Sequence, residues 1–173
     1  MNALTIRSRS WWKYEWNILR DGAIVGEIVS TKAMTLTEVR ARAETNEWIV
    51  STRSWLSDNV SIKDANGTEI GEVQSTSWWK SGSDAHILGK KYTIKPGNWF
   101  WTKYIVRDAD DREVLAVQMR WWKVAAEVRV SNYAVDNATI YLLSIVTFLR
   151  AKIKEQQSAA TSAGAVVVAS SSS

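Results

Sequence analysis

Between Trp12 and Ile18 the chain alternates in character. Trp12, Tyr14, Trp16 and Ile18 are apolar, and Lys13, Glu15 and Asn17 between them are polar. A period of two describes a strand with one face buried. The segments AIVGEIVS, EWIVSTRSW, VSIKD, EIGEVQS, KKYTI, WFWTKYIVRD, VLAVQMRWW and AEVRVS continue the pattern with β-branched and aromatic enrichment. Asp21-Gly22, Asn66-Gly67 and Pro96-Gly97 supply turn chemistry between several of them. Many short strands at regular spacing predict a sandwich or a barrel.

The strands also repeat. NILRDGAIVGEIVST (17–31) is similar to SIKDANGTEIGEVQST (61–76), with Gly26-Glu27-Ile28 matching Gly71-Glu72-Val73. A third copy, YIVRDADDREVLAVQ (104–118), keeps the Ile-x-x-Asp start and the Val-Gln ending and loses the glycine. Each copy reads as strand, acidic turn, strand, which is a hairpin. Repeated hairpins fit a meander or a closed barrel. The stretch 35–45 fits two elements. Thr35-x-x-Glu38 is a capping box for a helix, whereas Thr37, Val39, Ala41 and Ala43 would share one face of a strand. Its place between two strands of a repeat favours the strand.

Beyond Asp136 the period changes. Asp136 and Asn137 are candidate N-caps, and basic residues close the segment that follows. Ile140, Leu142, Leu143, Ile145, Val146, Phe148 and Leu149 surround this predicted helix instead of forming one stripe. A helix apolar on all sides is enclosed by protein or by membrane. The uncharged run between Asp136 and Arg150 is shorter than the ~20 residues a membrane span needs, so enclosure by protein is expected and no transmembrane span. The last segment, SAATSAGAVVVASSSS, has no charge and little bulk, and reads as a flexible low-complexity tail. The expected organisation is a single β-barrel domain over 1–157, with a central helix at about 138–154, and a tail over 158–173.

A barrel of repeated hairpins followed by an all-round apolar helix resembles the tubby C-terminal-like superfamily, which includes tubby domains, phospholipid scramblases and the plant LURP-one-related proteins. The resemblance rests on the hairpins Ile18 to Gly26, Ile62 to Gly71 and Ile105 to Val114 and on the helix from Ala138 to about Lys154. It covers roughly residues 4–156. It implies a mainly β fold: a closed antiparallel β-barrel, of twelve strands in that family, around a C-terminal hydrophobic α-helix. No stretch matches the phosphoinositide-binding motif of tubby proteins or the calcium segment of scramblases. A palmitoylated cysteine cluster is impossible, because the chain has no cysteine.

Eleven tryptophans in 173 residues ask for large burial sites or a binding surface. The triplet Trp-Trp-Lys occurs at 11–13, 78–80 and 121–123. On a strand, neighbours point to opposite faces, so the middle Trp faces one way and the first Trp shares the other with the Lys. Trp12, Trp16, Trp99 and one member of each later pair are expected to line the barrel around the helix. The outward set is Trp11 with Lys13, Trp78 with Lys80 and Trp121 with Lys123, joined by Lys90 and Lys91. A Trp beside a Lys suits a membrane interface, where the ring enters the headgroup region and the ammonium meets lipid phosphate. The same chemistry serves a protein-interaction hot spot, or stacking on nucleic-acid bases.

Charge and the remaining residues narrow these options. A net charge of +4 allows attraction to phosphates, but basic and acidic residues are mixed along the chain, so nucleic acid is the weakest of the three partners. His86 is the sole histidine and has no carboxylate cluster beside it. DANGTE (64–69) and DADD (108–111) lack the ligand spacing of a calcium loop and sit where hairpin turns belong. No phosphate-binding loop, dinucleotide fingerprint or nucleophile elbow occurs. The N-terminus lacks the apolar core of a secretory signal. The expectation is therefore a cytoplasmic, non-enzymatic module without metal or cofactor. Its partner would be an anionic phospholipid or membrane surface, or alternatively a protein bound through an exposed Trp/Lys face.

Overall fold

The computed structural model of the chain describes residues 4–10, 13–32, 35–52, 59–75, 82–98, 102–120, 125–132 and 134–170, with side chains described throughout except at 125 and 162–170. Twelve strands and one helix follow in order. They are β1 (Leu4–Ser10), β2 (Glu15–Arg20), β3 (Ala23–Ser30), β4 (Glu38–Ala43), β5 (Asn46–Thr52), β6 (Val60–Asp64), β7 (Glu69–Ser75), β8 (Ser83–Ile87), β9 (Lys90–Pro96), β10 (Lys103–Asp108), β11 (Glu113–Arg120), β12 (Ala125–Val130) and α1 (Asn137–Ser170). Each strand pairs antiparallel with its neighbours in sequence, and β1 pairs with β12, so the sheet closes into a barrel with no free edge.

Alternation decides what faces inward. Trp16 and Ile18 of β2, Val39, Ala41 and Ala43 of β4, and Trp48 and Val50 of β5 are buried, while the residues between them are exposed or half-buried. The helix fills the space they enclose. Every residue from Thr139 to Ala151 is buried, on all sides of the helix, as its apolar girdle requires. Phe148 meets Trp16 edge-on, with ring centroids 5.2 Å apart. The helix lies nearest β11, β12 and β4. On β4 and β12 the inner positions include Ala41, Ala43 and Ala126, small enough to let a helix approach.

The hairpins β2–β3, β6–β7 and β10–β11 share one local geometry. The register shifts just after Ile18, Ile62 and Val106, which pair with Gly26, Gly71 and Leu115. A Cβ on Gly26 would run into the Arg42 carbonyl of β4, and one on Gly71 into the His86 carbonyl of β8. Close backbone approach therefore explains both glycines. In the third hairpin the equivalent buried residue is Val106, one position after the expected Ile105, which is only half-buried.

Several sequence expectations change. Of the two readings of 35–45 the favoured strand holds, as β4 over 38–43, and in place of the helix cap the Glu38 carboxylate accepts a 2.7 Å bond from the Thr31 hydroxyl. The strand expected through Trp12 and Tyr14 begins only at Glu15, because Lys13 and Tyr14 form a turn in which Tyr14 has φ +51°. The strands expected to run into Trp55 and the Trp121-Trp122 pair are described as far as Thr52 and Arg120, and β10 from Lys103; Trp55, Trp101, Trp121 and Trp122 lie outside the described residues. Trp16 and Trp48 are inside; Trp12, Trp99 and the later pairs lie outside the described residues. The helix does not stop near Lys154 but continues to Ser170, through most of the expected tail. Ala159, Ala160, Ala163 and Ala165 favour propagation from a helix already formed. No helix among the described residues is long and apolar enough to cross a membrane.

Two devices hold the helix start. Asp136 is its N-cap, accepting 2.9 Å and 2.8 Å bonds from the amide and hydroxyl of Thr139. Partial burial raises the pKa of this carboxyl, yet the Thr139 bonds and the nearby Lys90 outweigh it, and the value lies below the ordinary one. One turn on, the Tyr141 hydroxyl donates to Glu44 at 3.0 Å, and Arg20 pairs with the same carboxylate at 2.8 Å and stacks 4.9 Å from the Tyr141 ring centroid. Burial and the bond to Glu44 push the Tyr141 phenol up to about 12.

Two outcomes follow. A fragment ending at Asn137 lacks the filling of its own barrel and shows no cooperative urea transition; a folded 1–137 fragment would sink the enclosed-helix architecture. Asp136→Ala costs about 1 kcal/mol, the usual worth of an N-cap. Because the folded pKa of Asp136 is depressed, its contribution is complete above the unfolded value of about 3.9 and fades as pH falls through the folded value. Urea midpoints of the two proteins should therefore converge toward low pH.

Candidate functional site

An up-and-down meander sorts its connections by end. The β2–β3, β4–β5, β6–β7, β8–β9 and β10–β11 turns lie at one end, here the hairpin end. They are short and use the left-handed backbone at Asp21, Gly22, Glu44, Gly67, Leu88, Gly89 and Asp111. Asp64 Oδ1 accepts from the amides of Asn66 and Thr68, and Asp108 Oδ1 from those of Asp110 and Arg112. The bond from the Arg112 amide is the largest of the effects that lower the Asp108 pKa. The acidic runs thus serve their turns, and no cluster of three His, Asp or Glu fit for a metal occurs among the described residues. His86 is exposed on the outer wall of β8, paired across the sheet with Lys91.

The β1–β2, β3–β4, β5–β6, β7–β8, β9–β10 and β11–β12 connections leave and re-enter the barrel at the far end. The sequence joining those strand ends contains every tryptophan except Trp16 and Trp48. Of the predicted site residues, Trp11, Trp78, Lys80, Trp121 and Lys123 lie in these connections but outside the described residues. Lys13 is described: it is an exposed turn residue at the far end. Lys32, in the β3–β4 connection, is a second exposed lysine there. It has no Trp beside it in sequence, and only the strand order places it with Lys13. Lys90 and Lys91 belong elsewhere. They open β9 at the hairpin end, where Lys90 acts on the Asp136 carboxyl and Lys91 pairs with Asp84 at 3.6 Å.

The helix enters at the hairpin end and emerges at the far end. Tyr141 meets the β4–β5 turn residue Glu44, and Gln156 Nε2 donates at 2.8 Å to the hydroxyl of Tyr14 in the β1–β2 connection. Residues 158–161 beyond it are exposed. The outer wall is studded with ion pairs, among them Arg40–Glu47 (3.4 Å), Arg42–Glu47 (3.0 Å), Arg120–Glu127 (2.8 Å) and Arg129–Glu113 (3.2 Å). An apolar interior behind a charged wall is the reverse of a barrel that spans a bilayer with its strands. The large hydrophobics exposed among the described residues, Ile24 and Leu88, stand on separate hairpins far apart around the barrel and form no patch.

The core keeps some polar atoms without partners. Trp16 Nε1, Ser83 Oγ and Thr147 Oγ1 are buried with no hydrogen-bond partner among the described residues. A buried unsatisfied hydroxyl costs roughly 1–3 kcal/mol. Thr147→Val keeps the shape and deletes the hydroxyl, so its urea midpoint should rise. A fall would mean that water or a ligand satisfies Thr147.

No family model matches the chain, and no curated protein matches it. In fold it is similar to the X-ray structure of a protein from Arabidopsis thaliana. The TM-score is 0.59 at 12% identity, over 84% of this chain and 88% of that one. At such low identity the likeness shows a shared fold and nothing further.

Proposed function

We propose that the protein is a tubby-like, non-enzymatic module that docks the far end of its barrel on an anionic membrane surface. The observation that carries this is the sorting of connections. The strand order gathers at one end the six segments whose sequence holds all the tryptophans that the barrel does not bury in its strands. Trp prefers the membrane–water interface, and a Lys beside it reaches lipid phosphate through its flexible stem. Lys13 and Lys32 are exposed and make no ion pair among the described residues, whereas Lys90 and Lys91 at the opposite end have carboxylates within reach. The charged outer wall suits a barrel standing in water while one end touches lipid.

Tryptophan emission during titration with vesicles tests the proposal. Phosphatidylcholine vesicles containing phosphatidylserine should produce a blue shift that salt reverses, and pure phosphatidylcholine little or none. Trp11→Ala and Lys13→Ala should each weaken binding several-fold, and Lys91→Ala should leave it unchanged. An unchanged spectrum with both vesicle types, together with a stable protein complex, would replace this function with an assembly role.

A further inference from the structure

We infer that the C-terminal third of α1 is an insertion element, a helical rod that leaves the barrel at the far end and enters the near leaflet of the bilayer to which that end docks. The inference rests on the membrane reading above and says which segment penetrates.

Position comes first. The bond from Gln156 to Tyr14 marks where the helix crosses the far end, and the described residues that follow, 158–161, are exposed. The helix nevertheless continues to Ser170. At about 1.5 Å per residue, the part beyond Gln156 reaches ~20 Å outward. That compares with ~15 Å for one leaflet of a ~30 Å hydrocarbon core.

Composition comes next. Glu155 is the last charged residue of the chain, and it is paired with Lys152 at 2.8 Å. From Gln156 onward there is no Asp, Glu, Lys or Arg, and the run Ala165-Val166-Val167-Val168-Ala169 lies farthest out along the helix before its terminal serines. Along its length an uncharged helix satisfies its own backbone hydrogen bonds, and this one has no Asp, Glu, Lys or Arg to desolvate. The cost of entry is confined to the tip, where the last carbonyls lie and the sequence runs into serines from Ser170 onward. A helix meant to stay in water carries charged residues along its exposed length, and this one stops doing so where it leaves the barrel.

Geometry ties the rod to its surroundings. It emerges at the end of the barrel where the strand ends are joined by tryptophan-rich sequence, with Lys13 and Lys32 at the same end. Interfacial aromatics and lysines around a central apolar element are the arrangement that holds a helix upright in a leaflet. Burial of Thr139–Ala151 inside the barrel anchors the base of the rod, so less ordering entropy opposes its entry than would oppose that of a free tail.

The absence of cysteine makes the test direct. Val167→Cys and Ser131→Cys, the latter at the hairpin end, are labelled singly in the full chain with a polarity-sensitive fluorophore. Both are titrated with phosphatidylcholine/phosphatidylserine vesicles. The label at 167 should shift to the blue and become quenchable by lipids brominated on their chains, and the label at 131 should not. Val167→Asp should weaken vesicle binding at least tenfold with an unchanged urea midpoint. If tryptophan emission still reports binding while the label at 167 stays in water and Val167→Asp binds normally, insertion is wrong and surface docking stands. If tryptophan emission reports no binding, both fall. If the full chain forms a dimer that Val167→Asp abolishes, the rod is covered by a second copy and insertion is again wrong.

Discussion

A helix with apolar residues on every side has no stable position at the surface of a protein, and the architecture answers that constraint. Burial of Leu142, Leu143, Ile145, Val146, Phe148 and Leu149 in one continuous sleeve needs a wall on all sides. Closing twelve strands on themselves supplies it. The dependence is mutual. Ile6, Ile18, Ile28, Ile62 and Ile87 are buried because the helix is there, and without it they would border a cavity wide enough to flood. Barrel and helix are one cooperative unit despite their separation in sequence.

The constraint also explains the small residues. A barrel lined only by large side chains would exclude a helix, and Ala41, Ala43 and Ala126 keep the lining thin on β4 and β12, two of the strands the helix packs against. Larger groups also pack directly on the helix, as Trp16 does against Phe148. Gly26 and Gly71 answer a different need, the approach of a neighbouring strand's carbonyl next to a register shift. Polar interactions contribute orientation more than bulk stability. Asp136, Glu44 and Arg20 fix the helix start and its rotation, and Gln156 fixes its exit.

How much of this could be read from the residues depends on how local the signal is. Closure around an apolar helix was legible because Ile140 to Leu149 violates any one-sided pattern within a short window. The hairpin end was legible too, since Asp21-Gly22 and Asn66-Gly67 announce their turns chemically. The far end was not. Trp-Trp-Lys carries neither glycine nor proline, and its β-prone residues imitate a continuing strand, so Tyr14 at φ +51° was invisible. Lys90 and Lys91 resembled Lys13 in chemistry; only the count of strands between them shows that they lie at opposite ends. Residues 158–170 lack bulk and charge, which in isolation means disorder. Attached to a helix clamped inside a barrel, the same alanines propagate it.

Strand parity then decides what the helix can do. In a closed meander with an even number of strands, the last strand runs opposite to the first. β1 runs toward the end where the tryptophan-bearing connections begin, so β12 runs away from it and delivers the chain to the hairpin end. The helix must start there, beside the Lys90 side of the barrel, and can only leave through the far end. One strand more or fewer would bring the uncharged segment out among the tight acidic turns at Asp64 and Asp108, a poor neighbour for lipid. That the helix exit, Lys13, Lys32 and the strand ends joined by tryptophan-rich sequence share one end of the barrel is thus a consequence of twelve strands and one threaded helix.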